Sequence, residues 1–175
     1  MKYDLDYYEN MLRLYSHTAK QINEIRWKFI SSLNPSTVLD YGSGVGWFRA
    51  WRPKGVKVFS HDIAPAFPQT GIDLRIYDIV CFWDVLEHID DFRKVEPVLA
   101  LAKAVAATLP IAPTESESIG SWKHFKPGEH LHYFTERTLT SLFDKYGFRL
   151  LEKGQPECPP REDVTSFLFV RKEVA

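Results

Sequence analysis

The first part of the chain carries apolar side chains at helical spacing. Apolar residues recur every three or four positions: Tyr8, Leu12, Tyr15, Ala19, Ile22, Ile25, Phe29 and Leu33. The pattern stops at Pro35, because proline cannot continue a helix and restricts the residue before it. We therefore predict one long or broken amphipathic helix over 5–33, within an N-terminal helical cap of residues 1–36.

After residue 36, short apolar runs alternate with segments of helical pattern. The runs predict strands at 37–41, 56–61, 78–83, 104–109, 148–152 and 165–171. Helices are predicted near 47–51, from 84 to about 100, and from Thr135 as an N-cap to Gly147 as the terminating residue. The run at 78–83 is apolar on both faces, which is typical of a central parallel strand. The alternation favours an α/β fold, with a core at 37–171 in a single domain of 1–175.

Composition and charge narrow the class of protein. The chain has 175 residues, 45% of them hydrophobic, which suits one globular domain. With 22 basic and 23 acidic residues, the net charge of -1 gives no electrostatic reason to expect a nucleic acid or an anionic membrane, although a local basic face stays possible. The two cysteines form no disulfide framework, and no signal-like or membrane-spanning apolar run is present. We expect a cytoplasmic protein.

A glycine-rich turn follows the first predicted strand. Gly42, Gly44 and Gly46 let the chain turn sharply and let a ligand approach the backbone closely. A dinucleotide site needs a third glycine at position 47, but Trp47 stands there. The turn therefore suits a nucleoside that carries an amino acid.

Four segments in order resemble the class I S-adenosylmethionine-dependent methyltransferases, specifically small-molecule enzymes similar to those of ubiquinone biosynthesis. Val38–Gly46 looks like the first motif, Asp62 matches the acidic residue that grips the ribose, 77–91 is similar to the fourth-strand motif, and 129–148 resembles the segment before the last strands. The resemblance implies a mostly parallel Rossmann-like sheet whose last strand is antiparallel, with S-adenosylmethionine as cofactor. The implied cofactor-binding residues are Asp40, Tyr41, Gly42, Gly44, Gly46, Asp62, Ile63, Phe82 and Trp83.

The segment between Asp62 and Asp78 is too short for the family pattern. A parallel crossover alone takes a dozen or more residues, and Pro65 and Pro68 disfavour a helix here. We predict that the third strand and its helix are lost or reduced, which leaves the adenine side of the pocket more open.

Four histidines are candidates for the base that methyl transfer often requires, and we prefer His88 and His130 because both lie in segments that face the cofactor in the family. We predict no metal. An alternative stays open in which Asp84, Glu87 and His88 share a helix face and bind Mg²⁺, Mn²⁺ or Zn²⁺ together with His130 or His132.

The function predicted from these residues is methyl transfer to an oxygen or nitrogen of a small-molecule acceptor. The alternative is a non-catalytic protein that binds S-adenosylmethionine or S-adenosylhomocysteine as a sensor or partner subunit.

Overall fold

The computed structural model of the chain describes residues 5–64, 67, 70–73, 75–113 and 119–173. Its strands are β1 Thr37–Tyr41, β2 Lys57–His61, β3 Tyr77–Trp83, β4 Ala102–Pro110, β5 Phe148–Gly154 and β6 Val164–Arg171. Its α-helices are α1 Leu5–Ile30, α2 Trp47–Ala50, α3 Glu96–Ala100 and α4 Glu136–Lys145. Short 3₁₀ turns cover Ser31–Leu33, Leu86–His88, Phe92–Lys94 and Ile119–Ser121. All six strands therefore occur where the apolar runs predict them.

The strands form one sheet in the order β2-β1-β3-β4-β6-β5. The first four are mutually parallel, and β6 pairs antiparallel with both β4 and β5. Among the described residues between 62 and 76, none belongs to a strand or helix, so β2 is an edge of the sheet. Pro65 and Pro68 lie outside the described residues. The predicted loss of the third strand and its helix is confirmed.

The N-terminal helix covers one face of the sheet and brings a charged residue to its carboxyl edge. Trp27 of α1 stacks on Phe48 of α2 at 4.2 Å between ring centroids and donates its Nε1 hydrogen to the Phe48 carbonyl at 2.9 Å. Trp27 and the fully buried Ile30 pack into the core cluster beneath α1. Arg26 is thereby placed over the ring of Trp83, at the end of β3. In the described part of the chain, no helix combines the length and hydropathy needed to cross a membrane.

The single helix predicted from residue 84 to about 100 is wrong. Asp84 has a φ of 59°, which lies in the left-handed region and interrupts helical geometry at once. Two short 3₁₀ turns follow, and the extended backbone of Ile89 separates them. Only Glu96–Ala100 is α-helical. The carboxyl end of β3 therefore leads into an irregular segment that can carry functional side chains.

Candidate active site

The glycine turn forms at the carboxyl end of β1 as predicted. Gly42, Gly44 and Gly46 all have positive φ angles, of 77°, 51° and 83°. A side chain at Gly42 would place its Cβ 2.4 Å from Cγ2 of Val85, in the segment after β3. Gly42 is therefore required both by its backbone conformation and by close packing against the neighbouring segment.

Asp62, which follows β2, lies across this turn. Its Oδ2 accepts a hydrogen bond from the Gly44 amide at 2.9 Å, and its Oδ1 accepts one from the Ala64 amide at 2.9 Å. A carboxylate oxygen can accept more than one hydrogen bond, so Asp62 keeps capacity for ribose hydroxyls. The structure thus brings the predicted ribose partner to the predicted methionine-binding turn.

Several buried polar atoms near the carboxyl ends of β1 and β3 have no hydrogen-bond partner among the described residues. They include Oδ2 of Asp40, Oγ of Ser43 and Nε1 of Trp83. Buried polar groups are normally paired, so these atoms are candidates to bind a polar ligand. One acceptor and two donors suit the ammonium and carboxylate groups of an amino acid. These residues therefore fit the methionine part of S-adenosylmethionine.

The ionisation of Asp40 is strongly perturbed. Burial raises the pKa of its carboxyl group from 3.8 to about 7, although the nearby Arg26 guanidinium lowers it in part. Close to neutral pH the side chain is thus balanced between its two forms. A cationic ligand group beside it would favour the carboxylate.

The aromatic residues predicted around the cofactor are divided between the two faces of the sheet. The ring of Phe82 is fully buried in the core cluster that also contains Tyr41, so only the backbone of Phe82 can reach a ligand. Trp83 packs on the opposite face against Phe48, at 5.3 Å between ring centroids. Ile63 is 75% exposed and free to cover an adenine ring. Their contacts with a cofactor stay predictions.

A second group of polar side chains lies beyond β3. One ligand atom each from Glu87, His88 and His130 lies within 4.8 Å of the others, and the two imidazole rings are 4.9 Å apart at their centroids. His88 Nδ1 is 2.9 Å from the Glu129 carbonyl, and it donates this hydrogen bond because a carbonyl can only accept. Glu87 Oε2 and His130 Nδ1 are buried without a partner within the described residues. We call Glu87, His88 and His130 the acceptor-side cluster.

Burial shifts the ionisation of Glu87 and His130. It raises the pKa of Glu87 to about 8, with a further increase from the charge of Asp84. It lowers the pKa of His130, as does the neighbouring His88. His130 is consequently a neutral imidazole at pH 7, which can accept a proton. The preferred histidine pair is thus brought together, with the two rings 4.9 Å apart at their centroids.

Two residues of the metal alternative do not join this cluster. His132 Nε2 contacts the Ile89 carbonyl at 2.8 Å, and its ring packs against Phe92 and Phe134, so it supports the loop. Asp84 instead forms ion pairs with Arg26 and Arg161. The predicted helix face of Asp84, Glu87 and His88 does not exist, because these residues lie in a left-handed turn and a 3₁₀ turn.

The sequence pattern missed the ion cluster that holds Asp84. Asp84 binds Arg26 of α1 at 2.9 Å and Arg161 of the β5–β6 loop at 2.6 Å, and the fully buried Glu157 binds both arginines at 2.8 Å. Burial alone would raise the pKa of Asp84, but Arg161 and Arg26 outweigh it and hold that pKa at about 2. No local motif joins residues this far apart in the chain. In the sequence, Pro159 and Pro160 indicate only a loop between the last two strands.

A parallel sheet that ends in a glycine turn after β1 and an acidic residue after β2 is the architecture of class I S-adenosylmethionine-dependent methyltransferases. The chain belongs to the methyltransferase-domain family, whose model matches residues 14–153. S-adenosylmethionine is the cofactor of this family. No curated protein matches the chain.

Solved structures share the fold at low sequence identity. Magnesium protoporphyrin IX methyltransferase from Synechocystis PCC 6803, with bound S-adenosylhomocysteine, has a TM-score of 0.59 and 17% identity over 88% of this chain and 83% of its own. The 1,6-didemethyltoxoflavin-N1-methyltransferase of Burkholderia thailandensis has a TM-score of 0.67 and 14% identity over 97% and 85%. The small RNA methyltransferase HEN1 has a TM-score of 0.61 and 19% identity over 90% of this chain, which spans 26% of HEN1.

Proposed function

We propose that the protein transfers the methyl group of S-adenosylmethionine to an oxygen or nitrogen of a small-molecule acceptor. The proposal rests on the following observation. Buried polar atoms without partners among the described residues occur in two sets at the carboxyl edge of the sheet. The set at Asp40, Ser43 and Trp83 suits an amino acid, and the set at Glu87 and His130 suits an acceptor that must lose a proton.

The residues on the cofactor side bind and orient S-adenosylmethionine. Asp40 accepts hydrogen bonds from an ammonium group, and the donors Ser43 and Trp83 match a carboxylate. Asp62 accepts hydrogen bonds from the ribose hydroxyls. S-adenosylmethionine, when bound, supplies an electrophilic methyl group on a sulfonium. Holding donor and acceptor in line is the main contribution that a protein makes to such a displacement.

His130 is the proposed base. The acceptor oxygen or nitrogen would gain the methyl group that the bound cofactor supplies, and the acceptor would release one proton. The acceptor proton passes to the buried Nδ1 of His130. The rings of His88 and His130 pack in a T-shaped arrangement, and Nδ1 of His88 is hydrogen-bonded to the Glu129 carbonyl.

The test compares His130→Ala with His17→Ala, since His17 is exposed on α1 and serves as a matched control. Release of S-adenosylhomocysteine is measured across a panel of hydroxylated and amino-bearing metabolites. We expect His130→Ala to lower kcat by about 100-fold or more, as loss of a general base does. The affinity for S-adenosylhomocysteine should stay the same. Full activity of His130→Ala would contradict the assignment.

A non-catalytic binding role is the second candidate, and the missing third strand favours it. Both oxygens of Asp62 already accept backbone hydrogen bonds, and the adenine side lacks a strand among the described residues. Calorimetry with S-adenosylmethionine and S-adenosylhomocysteine separates the cases. Binding without turnover of any acceptor supports a sensor or partner subunit, and no binding of either compound rejects both candidates.

The acceptor-side cluster also has the chemistry of a divalent-metal site. One carboxylate and two imidazoles, each offering an atom within 4.8 Å of the others, suit Zn²⁺, Mn²⁺ or Fe²⁺. Metal analysis of the purified protein decides this, with Glu87→Ala compared with Glu129→Ala as a nearby control. A bound ion that disappears only in Glu87→Ala would establish the site, and metal-free, fully active protein would exclude it.

A further inference from the structure

The loss of the third strand leaves a groove on the far side of β2. A cavity of about 660 Å³ lies between α2, the turn that follows it and the outer edge of β2. A smaller cavity of about 270 Å³ continues toward the glycine turn and shares Arg49, Ala50 and Arg52 with the larger one. Right-handed crossovers would place the next helix beside α2. The groove therefore occupies the position of the missing crossover helix.

The groove is lined by positive charge. Arg49, Arg52, Lys54 and Lys57 line it, and no carboxylate is among the lining residues of either cavity. None of the four forms an ion pair with any residue that the structure describes. Most other basic residues are paired, including Lys103 with Asp78. The chain as a whole has a net charge of -1, so positive charge is concentrated in this groove. Four cations without a carboxylate partner favour a polyanionic ligand.

The donors of the smaller cavity are partly fixed in place. Arg52 Nη1 donates to the Arg49 carbonyl at 3.0 Å, which holds the Arg52 guanidinium against the backbone of α2. Ser60 is fully buried at the smaller cavity, and its Oγ has no partner among the described residues. Two planar guanidinium groups and one hydroxyl match an anion with several acceptor oxygens. A phosphate group offers these oxygens in one compact unit, whereas a carboxylate offers only two.

We propose that this groove binds the phosphate groups of a phosphorylated ligand. One phosphate lies in the smaller cavity against Arg49, Arg52 and Ser60, and a further phosphate lies toward Lys54 and Lys57. The site includes none of the acceptor-side cluster, and its smaller cavity borders the glycine turn at Val45 and Gly46.

The test titrates the full-length protein with sodium tripolyphosphate at constant ionic strength, by calorimetry and by amide chemical shifts. We expect saturable binding with shifts at Gly46 and Gly55. Arg49→Gln/Arg52→Gln should weaken binding by about tenfold or more, because each lost contact is charge-assisted. Ser60→Ala should weaken it by about threefold. Arg137→Gln/Lys145→Gln, which removes two exposed charges on α4, is the matched control and should leave binding within about twofold.

A second titration with a single-stranded RNA oligonucleotide distinguishes the sources of phosphate. Tighter binding of RNA, with a steep salt dependence that the double variant reduces, identifies a phosphodiester chain. Binding of tripolyphosphate alone identifies a phosphorylated small molecule. No saturable binding of either probe, or equal loss in the control variant, would overturn the proposal. Polyglutamate that binds as tightly and shifts the same amides would show an acidic polypeptide site instead.

Discussion

The buried carboxyl group of Asp40 leads to a prediction about stability and pH. Burial raises its pKa from 3.8 to about 7, against a smaller lowering by Arg26. Between pH values of about 4 and 7, the folded chain keeps a proton on Asp40 that the unfolded chain has released. The stabilisation is present at low pH and is lost as the pH rises toward the folded pKa. Raising the pH across this interval must therefore lower the free energy of unfolding.

The size of the effect follows from the two pKa values. The difference between 3.8 and about 7 corresponds to at most about 4 kcal/mol. Asp40→Asn keeps the shape of the side chain and removes the titrating proton. Between pH 5 and pH 7 the wild type should lose about 2 kcal/mol of stability relative to this variant. Other titrating groups contribute equally to both proteins and cancel in the difference.

Urea unfolding without cofactor, followed by tryptophan fluorescence at several pH values from 5 to 8, measures this difference. Asp78→Asn is the control, because burial would raise the pKa of Asp78 but hydrogen bonds from Lys103 and Ser36 outweigh it and keep the pKa low. Its difference from wild type should be constant over the same range. A constant difference for Asp40→Asn as well would refute the reasoning, because it would mean that Asp40 stays charged in the folded protein.

Two further substitutions test the packing around the site. Gly42→Ala should destabilise the protein by about 2 kcal/mol or more in thermal unfolding, because its Cβ would meet a valine carbon at 2.4 Å in a backbone with φ 77°. Gly128→Ala, with φ 85° and open space, should cost only about 1 kcal/mol. Glu157→Gln should cost about 3 kcal/mol in urea unfolding, because it weakens a buried ion cluster. The exposed control Glu162→Gln should change stability by less than about 0.5 kcal/mol. Equal losses of stability in Gly42→Ala and Gly128→Ala, or in Glu157→Gln and Glu162→Gln, would contradict these assignments.

The strands could be predicted from the sequence because their signals are local. The run at 78–83 is apolar on both faces, and the structure places it at the centre of the sheet between β1 and β4. The loss of the third strand could be predicted from length, since a third strand, its helix and the crossover to β3 cannot all fit between Asp62 and Asp78. The juxtaposition of His88 and His130 followed from the family resemblance rather than from spacing.

The segment after β3 could not be predicted because distant residues determine its conformation. Asp84 has a left-handed backbone, and its carboxylate is held by Arg26 and Arg161, which are 58 and 77 positions away in the chain. Helical periodicity in 84–100 contains no information about those partners. The pattern therefore indicated a long helix, and the metal alternative placed Asp84 on one helix face with Glu87 and His88, a face that the structure does not form.

The acceptor side and the adenine side of the proposed site are held in place by different numbers of contacts. This difference bears on whether the protein is an enzyme. The acceptor side is fixed by the ion cluster, which joins α1, the end of β3 and the β5–β6 loop through Asp84. On the side where the third strand is missing, Asp62 accepts hydrogen bonds from the Gly44 and Ala64 amides, and the ring of Phe67 packs against Tyr7 and Tyr8 of α1. If the protein is an enzyme, its KM for S-adenosylmethionine should be higher than that of methyltransferases that keep the third strand. Its kcat should be unaffected by the missing strand, because the reacting centre lies on the other side of the site. A sensor would require the opposite, because it depends on tight binding of the whole cofactor.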